Sequence, residues 1–509
     1  MKHTWFRSLL RRRLLVILLL LVQIALIGYV VHNDSMGAGL LRSILQIVSI
    51  LVVFHVVSEK NKGAYKAAWV FLVLAFPLFG GAFYLLFHLQ SSAKKFSYTI
   101  ARIRKKSGPL YQLPGDAYKR AVQEIPQFLP QFRYLQEYNG FPIFDATHTR
   151  YYTPGEAFLE PFLAELEKAE KYIFLEYFII SEGVLWERVL EVLLRKAKEG
   201  VEVRVIYDDI GCFLKLPKNY AETLRSYGIQ CSVFNPFRPV LSVMQNNRDH
   251  RKIASVDGKA AFTGGLNLAD EYINARKKYG YWKDSVLLVR GKAAWSMTLM
   301  FLETWELCGN PKEDSRKFYP LWNTESTAHG FVQPYADSPM DDENVGEHVY
   351  MQILNNAEKY VYITTPYLII DDSMMSALCL AAKSGVDVRI ITPHIWDKAF
   401  VHLTTRSFYR ELIRGGVKIY EYSKGFIHSK TFVSDDVTAV VGTTNLDFRS
   451  LYLDFECGVR MYRTNAVIDV KEDFIKTLAE CEEVTADMCQ GTIFTRAIQN
   501  FLRLFAPLM

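Results

Sequence analysis

Two stretches of the chain, DHRKIASVDGKAAFTGG at 249–265 and IHSKTFVSDDVTAVVGTTN at 427–445, share one pattern. Each writes His, one residue, Lys, four residues and Asp, then a strand-like run ending in glycine and asparagine. For a given histidine, Lys two on and Asp seven on arise by chance about once in three hundred. The chain has 11 histidines, so two occurrences indicate a duplication.

The duplication reaches well beyond the motif. KAEKYIFLEYFII at 168–180 matches NAEKYVYITTPYLII at 356–370, and KEGVEVRVIYDDIG at 198–211 matches KSGVDVRIITPHIW at 383–396. Each copy reads as an apolar strand, a helical segment, a glycine and a second Val/Ile strand, which predicts an α/β fold. The offsets Lys171 to Lys359, Gly200 to Gly385 and Gly228 to Gly416 are nearly equal, as true repeats require. His250 and His428 stand about ten residues closer than that offset, so the loop NPFRPVLSVMQNNR before the first motif is an insertion, a natural place for substrate contacts.

Residues two apart in a strand share a face, so His250 with Lys252, and His428 with Lys430, present an imidazole beside an ammonium, while Arg251 and Ser429 face away. An imidazole can attack phosphorus or protonate an oxygen, and an ammonium neutralises phosphate oxygens that gain charge. A lone strand histidine is usually a satisfied, half-buried residue. Two copies at equivalent places predict two half-sites of one centre.

Asp257 and Asp435 count with the catalytic set through the motif, but each falls where one strand ends and the next begins, where Asp fixes a turn. Sharing a face with His and Lys from there requires a bend. The returning strands deliver Gly264, Gly265 and Asn267, and Gly442, Thr443 and Asn445, read here as a phosphate cradle of backbone N–H groups and side-chain amides. Asp284 in YWKDSVLLVRG and Glu456 in LDFECGVRMY open further apolar strands and read as carboxylates that orient an imidazole.

The N-terminal part is apolar. A run at 14–31 follows Arg11, Arg12 and Arg13 and suits a retained spanning helix; a run at 43–57 is shorter, and one at 67–89 is long despite Pro77, Gly80 and Gly81. Lysines and arginines flank all three, and three full spans cannot place every cluster inside. The expected topology has the first and third runs crossing, the second lying in the interface, and the remainder on the cytoplasmic side. The 7 cysteines form no CxxC pair, so neither a zinc site nor a secreted disulfide framework is indicated. The formal charge of +6 is too mild for a polynucleotide track.

The two HxKxxxxD motifs with GGLN and GTTN resemble the phospholipase D superfamily. The run GTTNLDFRSLYLDFE and the segment AWVFLVLAFPLFGGAFYLLF narrow the resemblance to bacterial cardiolipin synthases, over nearly the whole chain. That resemblance implies two pseudo-symmetric phospholipase D-like repeats forming a bilobal catalytic unit behind an N-terminal transmembrane helical region. It implies a cofactor- and metal-independent transfer in the bacterial cell membrane, with no nucleic-acid partner. One motif histidine attacks a phosphatidylglycerol phosphorus, glycerol leaves a phosphatidyl-histidine, and a second phosphatidylglycerol hydroxyl yields cardiolipin. His250, Lys252 and Asp257 correspond to the first motif, and His428, Lys430 and Asp435 to the second. GGLN lacks the hydroxyl that GTTN keeps, which implies unequal half-sites.

The expected divisions are a multi-pass membrane anchor at 1–107, a connector at 108–150, repeats at 151–325 and 326–485, and an amphipathic helix at 486–509 that packs on the core, with the bilayer surface as its alternative. The motifs leave the acceptor open, so a membrane-bound phospholipase D releasing phosphatidic acid is the alternative activity. A superfamily nuclease fits the apolar runs poorly, and a non-enzymatic scaffold would not be expected to keep both motifs. The nucleophilic histidine and the oligomeric state stay open.

Overall fold

The computed structural model describes residues 21–22, 25, 28–29, 32, 35–76, 80–81, 84–85, 91–113, 115–237, 243–320 and 328–508. The chain forms two compact units. One comprises Met1–Lys95, Phe237–Asn246 and Asn500–Met509; the other comprises Phe96–Pro236 and Asn247–Gln499.

In the first unit α1 (Met36–Ser58) starts at Ser35, whose hydroxyl accepts the Ala38 N–H at 3.3 Å. Its 23 residues make it, among the described residues, the one helix long and apolar enough to cross a membrane. Val52 and Val56 pack with Trp69 and Val73 of the shorter apolar helix α2 (Gly63–Ala75). Residues 43–57 belong to a longer helix than the run alone suggests, because Met36–Arg42 continues it by almost two turns, which gives this segment the length to span. Most of the 14–31 run, and 77–79, 82–83 and 86–90 of the third, lie outside the described residues.

The second unit holds α3 (Ser91–Tyr111) from Phe96 onward and two sheets. Ser97 donates to Met340 O at 2.7 Å and the Trp295 indole donates to Leu110 O at 2.8 Å, so the helix is bound to both repeats. The Pro-rich segment that follows is folded: Ala121, Ile125, Phe128 and Phe132 bury against Phe331 and Tyr462.

The first repeat contributes β1 (Thr147–Tyr152), β2 (Tyr172–Tyr177), β3 (Glu202–Asp208), β4 (Gln230–Phe234), β5 (Lys252–Val256), β6 (Ala260–Gly264), β7 (Tyr281–Lys283) and β8 (Val286–Gly291). The second contributes β9 (Phe331–Asp337), β10 (Tyr360–Thr364), β11 (Leu368–Ile369), β12 (Asp387–Pro393), β13 (Lys418–Tyr422), β14 (Gly425–Ile427), β15 (Thr431–Ser434), β16 (Thr438–Gly442), β17 (Leu446–Asp447), β18 (Glu456–Tyr462) and β19 (Cys481–Glu483).

The sheet orders are β1-β8-β6-β5-β2-β3-β4 and β19-β13-β12-β10-β15-β16-β18-β9. Apart from β19, the second order read in reverse corresponds to the first strand for strand. In each, the pairs built from the matching sequences (β2 with β3, β10 with β12) are parallel, and the motif hairpins (β5–β6, β15–β16) are antiparallel. β2 is buried along its whole length, which explains its continuous apolar run. Its exception, Glu176, accepts from the Thr304 hydroxyl at 3.0 Å and stands 3.6 Å from Arg251. Each repeat's closing helix, Ala294–Leu307 or Asn465–Leu478, packs on its own sheet and also touches the first strand of the other repeat. The two repeats therefore share one core region.

Candidate active site

The motif strands meet at the boundary between the repeats. The backbone N–H of His428 donates to Lys283 O at 2.7 Å where β14 runs parallel to β7, and that of His250 donates to Phe455 O at 2.9 Å. The next residue after each accepting carbonyl is an acid of the opposite repeat. Asp284 Oδ2 lies 2.7 Å from His428 Nδ1, and Glu456 Oε1 lies 2.8 Å from His250 Nδ1. The acids serve the histidine of the other half. Both are fully buried, and with Nδ1 held by a carboxylate each ring has Nε2 left for chemistry.

The half-sites differ in a matched way. The Glu456 carboxylate also accepts from the Thr443 hydroxyl, which takes the Cys457 N–H at 3.0 Å. Asp284 has Gly265 beside it, where a Cβ would lie 2.1 Å from Oδ1 and 2.8 Å from His428 O. A longer acid pairs with threonine, a shorter one with glycine. The unequal halves expected from GGLN and GTTN follow from this geometry.

Lys252 and Lys430 donate to the carbonyl oxygens of their own motif histidines, and Lys430 Nζ stands 2.9 Å from His428 Nδ1. Arg251 turns to the opposite face and donates to the Thr304 hydroxyl at 2.9 Å; Ser429 donates to the Thr364 hydroxyl at 3.2 Å. Burial, then the lysine charges, pushes His250 well below the ordinary imidazole range and His428 down to about 3, the latter against Asp284. Burial and the lysines thus favour the neutral rings, and a phosphate anion between them supplies the opposite charge that favours protonating the one that acts as acid. Burial lowers Lys252 to about 8 and Lys430 to about 7, opposed by Glu456 and Asp284 respectively. Burial raises Glu456 to about 7 despite Lys252. It acts the same way on Asp284, but His428, Lys430 and the Ser285 N–H outweigh it and hold that acid below its ordinary value.

Other expected site residues do not reach the imidazoles. Asp257 and Asp435 open three-residue turns at φ 51 and 55. Asp257 accepts the N–H groups of Glu170, Lys171 and Tyr172 at 2.8–2.9 Å, and Asp435 accepts those of Glu358, Lys359 and Tyr360 at the same range. Each is one strand length from its histidine and pins the start of β2 or β10, the turn-holding role that its place between two strands suggests.

The groups expected to form a phosphate cradle have partners within the protein. Gly265 N–H donates to Ser285 O at 3.1 Å and Thr443 N–H to Cys457 O at 2.9 Å. A Cβ on Gly264 would lie 2.3 Å from Ser285 O, and one on Gly442 2.6 Å from Cys457 O, so these glycines let the acid-bearing strands pass close. Asn267 accepts the Ile179 N–H at 2.9 Å and donates to the Tyr272 hydroxyl at 2.8 Å, and Asn445 donates to Asp447 at 3.1 Å.

The sequence reading missed an aromatic wall. Phe178 meets His250 at 5.1 Å between ring centroids, and Tyr272 and Trp282 meet His428 at 5.4 Å each. These rings exclude water from the imidazoles. Their only sequence signal was aromatic residues at strand ends, which cores share.

Comparison with known proteins fits this geometry. A family model described as cardiolipin synthase, PLD-like domain, matches residues 162–285 and 350–478, and one described as phospholipase D-nuclease N-terminal matches 47–87. An uncharacterised protein of Streptococcus mutans is 41% identical over 90% of this chain and 99% of its own length. A cardiolipin synthase of a Geobacillus strain is 34% identical over 94% and 96%, and cardiolipin synthase 2 of Bacillus anthracis 34% over 91% and 90%. The crystal structure of a phosphatidylserine synthase from Haemophilus influenzae shares the fold, with a TM-score of 0.56, 15% identity, and coverage of 71% of this chain and 93% of that one. Sequence identity at this level and length, on a duplicated fold, places the chain in the cardiolipin synthase family of phospholipase D-like enzymes.

Proposed function

We propose that the protein transfers a phosphatidyl group from one phosphatidylglycerol to the glycerol hydroxyl of another, giving cardiolipin and free glycerol. Nε2 of one motif histidine attacks phosphorus; the bond from phosphorus to the leaving glycerol oxygen breaks, and that oxygen takes a proton from the other histidine. The second phosphatidylglycerol returns a proton to that histidine as its hydroxyl attacks, and the phosphorus–nitrogen bond breaks. Lys252 and Lys430 balance the phosphate charge through both steps.

The carrying observation is the pair of cross-repeat imidazole–carboxylate contacts, with each motif lysine's charge also acting on the histidine of the other half: two paired bases among cations suit a donor that is also the acceptor. The names of the relatives agree with transfer. α1 and the apolar N-terminal runs support a cell-membrane protein; insertion in more than one pass and a cytoplasmic catalytic unit are part of the proposal, supported by the basic clusters that flank the runs. The proposed division remains an anchor at 1–107, a connector at 108–150, repeats at 151–325 and 326–485, and the C-terminal helix.

The test is the purified full chain in phosphatidylglycerol vesicles, with products weighed by mass spectrometry. Cardiolipin with equimolar glycerol is expected. Phosphatidic acid as the main product overturns transfer in favour of hydrolysis.

A further inference from the structure

The C-terminal helix Ile493–Phe505 is amphipathic but set inside out. Phe494, Ile498 and Phe501 recur at i, i+4 and i+7 on one face, and they are 82%, 53% and 58% exposed. Ile493 beside them is 83% exposed, and no residue of the helix is buried. The polar positions Thr495 and Gln499 are half-buried and turned to the protein, where they line a groove of mixed character with Arg406, Glu421, Leu403 and Met488; Leu502 and Leu504 further on are half-buried too. A soluble helix does the reverse. The expectation that its apolar stripe packs on the core is therefore corrected.

Two further observations identify what covers the stripe. From Thr492 to the end the chain has Arg496 and Arg503 and no acid. The helix also ends on the apolar helices: the Phe505 ring meets Phe71 of α2 edge-on at 5.8 Å, and Ala506 behind it is buried. At about 20 Å the helix is too short to cross a membrane.

We propose that this helix lies in the plane of an anionic bilayer, with Phe494, Ile498 and Phe501 among the acyl chains and Arg496 at the level of the lipid phosphates. It is a second, interfacial anchor at the far end of the chain from α1. The proposal rests on reading α1 as membrane-inserted, and not on the identity of the reaction.

The full chain is reconstituted in phosphatidylglycerol–phosphatidylethanolamine vesicles containing a phospholipid with a diazirine in its acyl chain, illuminated, and the adducts mapped by mass spectrometry. Adducts at Phe494, Ile498 and Phe501 together with α1 are expected, and Ile498→Glu with Phe501→Glu removes those on the helix while leaving those on α1. Labelled α1 with an unlabelled helix overturns the proposal. If α1 is unlabelled as well, the membrane reading of the N-terminus fails with it. Equal yield in phosphatidylcholine vesicles overturns the anionic preference.

Discussion

Asp284 of the first repeat holds His428 of the second, Oδ2 to Nδ1 at 2.7 Å, and Glu456 of the second holds His250 of the first at 2.8 Å. Neither motif histidine has its acid within its own repeat, so an isolated half lacks the carboxylate that orients its motif imidazole. The exchange follows from the backbone, since each motif histidine pairs with the residue just before the opposite acid.

Asp284→Asn leaves His428 without an anion at Nδ1. Activity falls about 10²- to 10⁴-fold, the scale of losing an acid that orients a catalytic imidazole. Histidine-labelled NMR separates the partners: the His428 signals move and those of His250 keep their positions. Glu456→Gln gives the mirror result. Perturbation of His250 alone by Asp284→Asn would break the cross-pairing.

Gly265→Ala places a methyl group where Asp284 Oδ1 now lies, at 2.1 Å. The carboxylate must swing off His428, so kcat drops at least about 100-fold, on the scale of losing a positioned acid or base. Thr443→Val removes a supporting hydroxyl from Glu456, and an acceptor from the Cys457 N–H, and costs about tenfold, the scale of one hydrogen bond to a charged group. The order of the two losses in steady-state kinetics is the check; Thr443→Val hurting more would show that the hydroxyl matters beyond holding the acid.

The pH profile of kcat/KM has an alkaline limb set by the lysines. Burial lowers Lys430 to about 7 and Lys252 to about 8. The charged form is complete below those values and lost as pH rises through them, so kcat/KM declines between about pH 7 and 9. Lys430→Arg stays charged and moves the limb upward, whatever its absolute rate. A profile flat to pH 10 would show that the ammonium charges do not govern the rate.

Asp435→Ala removes the acceptor of three backbone N–H groups at the start of β10. Stability falls by about 1–3 kcal/mol, while kcat per folded molecule changes less than about tenfold. Thermal unfolding and active-site titration measure the two separately. Full loss of kcat at unchanged Tm would return Asp435 to the chemistry.

The sequence by itself determined the duplication, the α/β class, the histidines and lysines and the acids as a class, because strand period and repeat spacing are local and survive in one dimension. It also exposed the hairpin role of Asp257 and Asp435, since Asp at the end of one strand and the start of the next is a turn signal wherever it occurs. Three things needed the tertiary structure. Which acid serves which histidine depends on β7 lying beside β14, a contact between residues far apart in sequence. Whether Gly264, Gly265 and Gly442 present free N–H groups or let strands pass depends on β8 and β18 beside them. And the stripe of Phe494, Ile498 and Phe501 is fixed by helical period, but which side of that helix meets the protein depends on the groove facing Thr495 and Gln499, which no local pattern encodes.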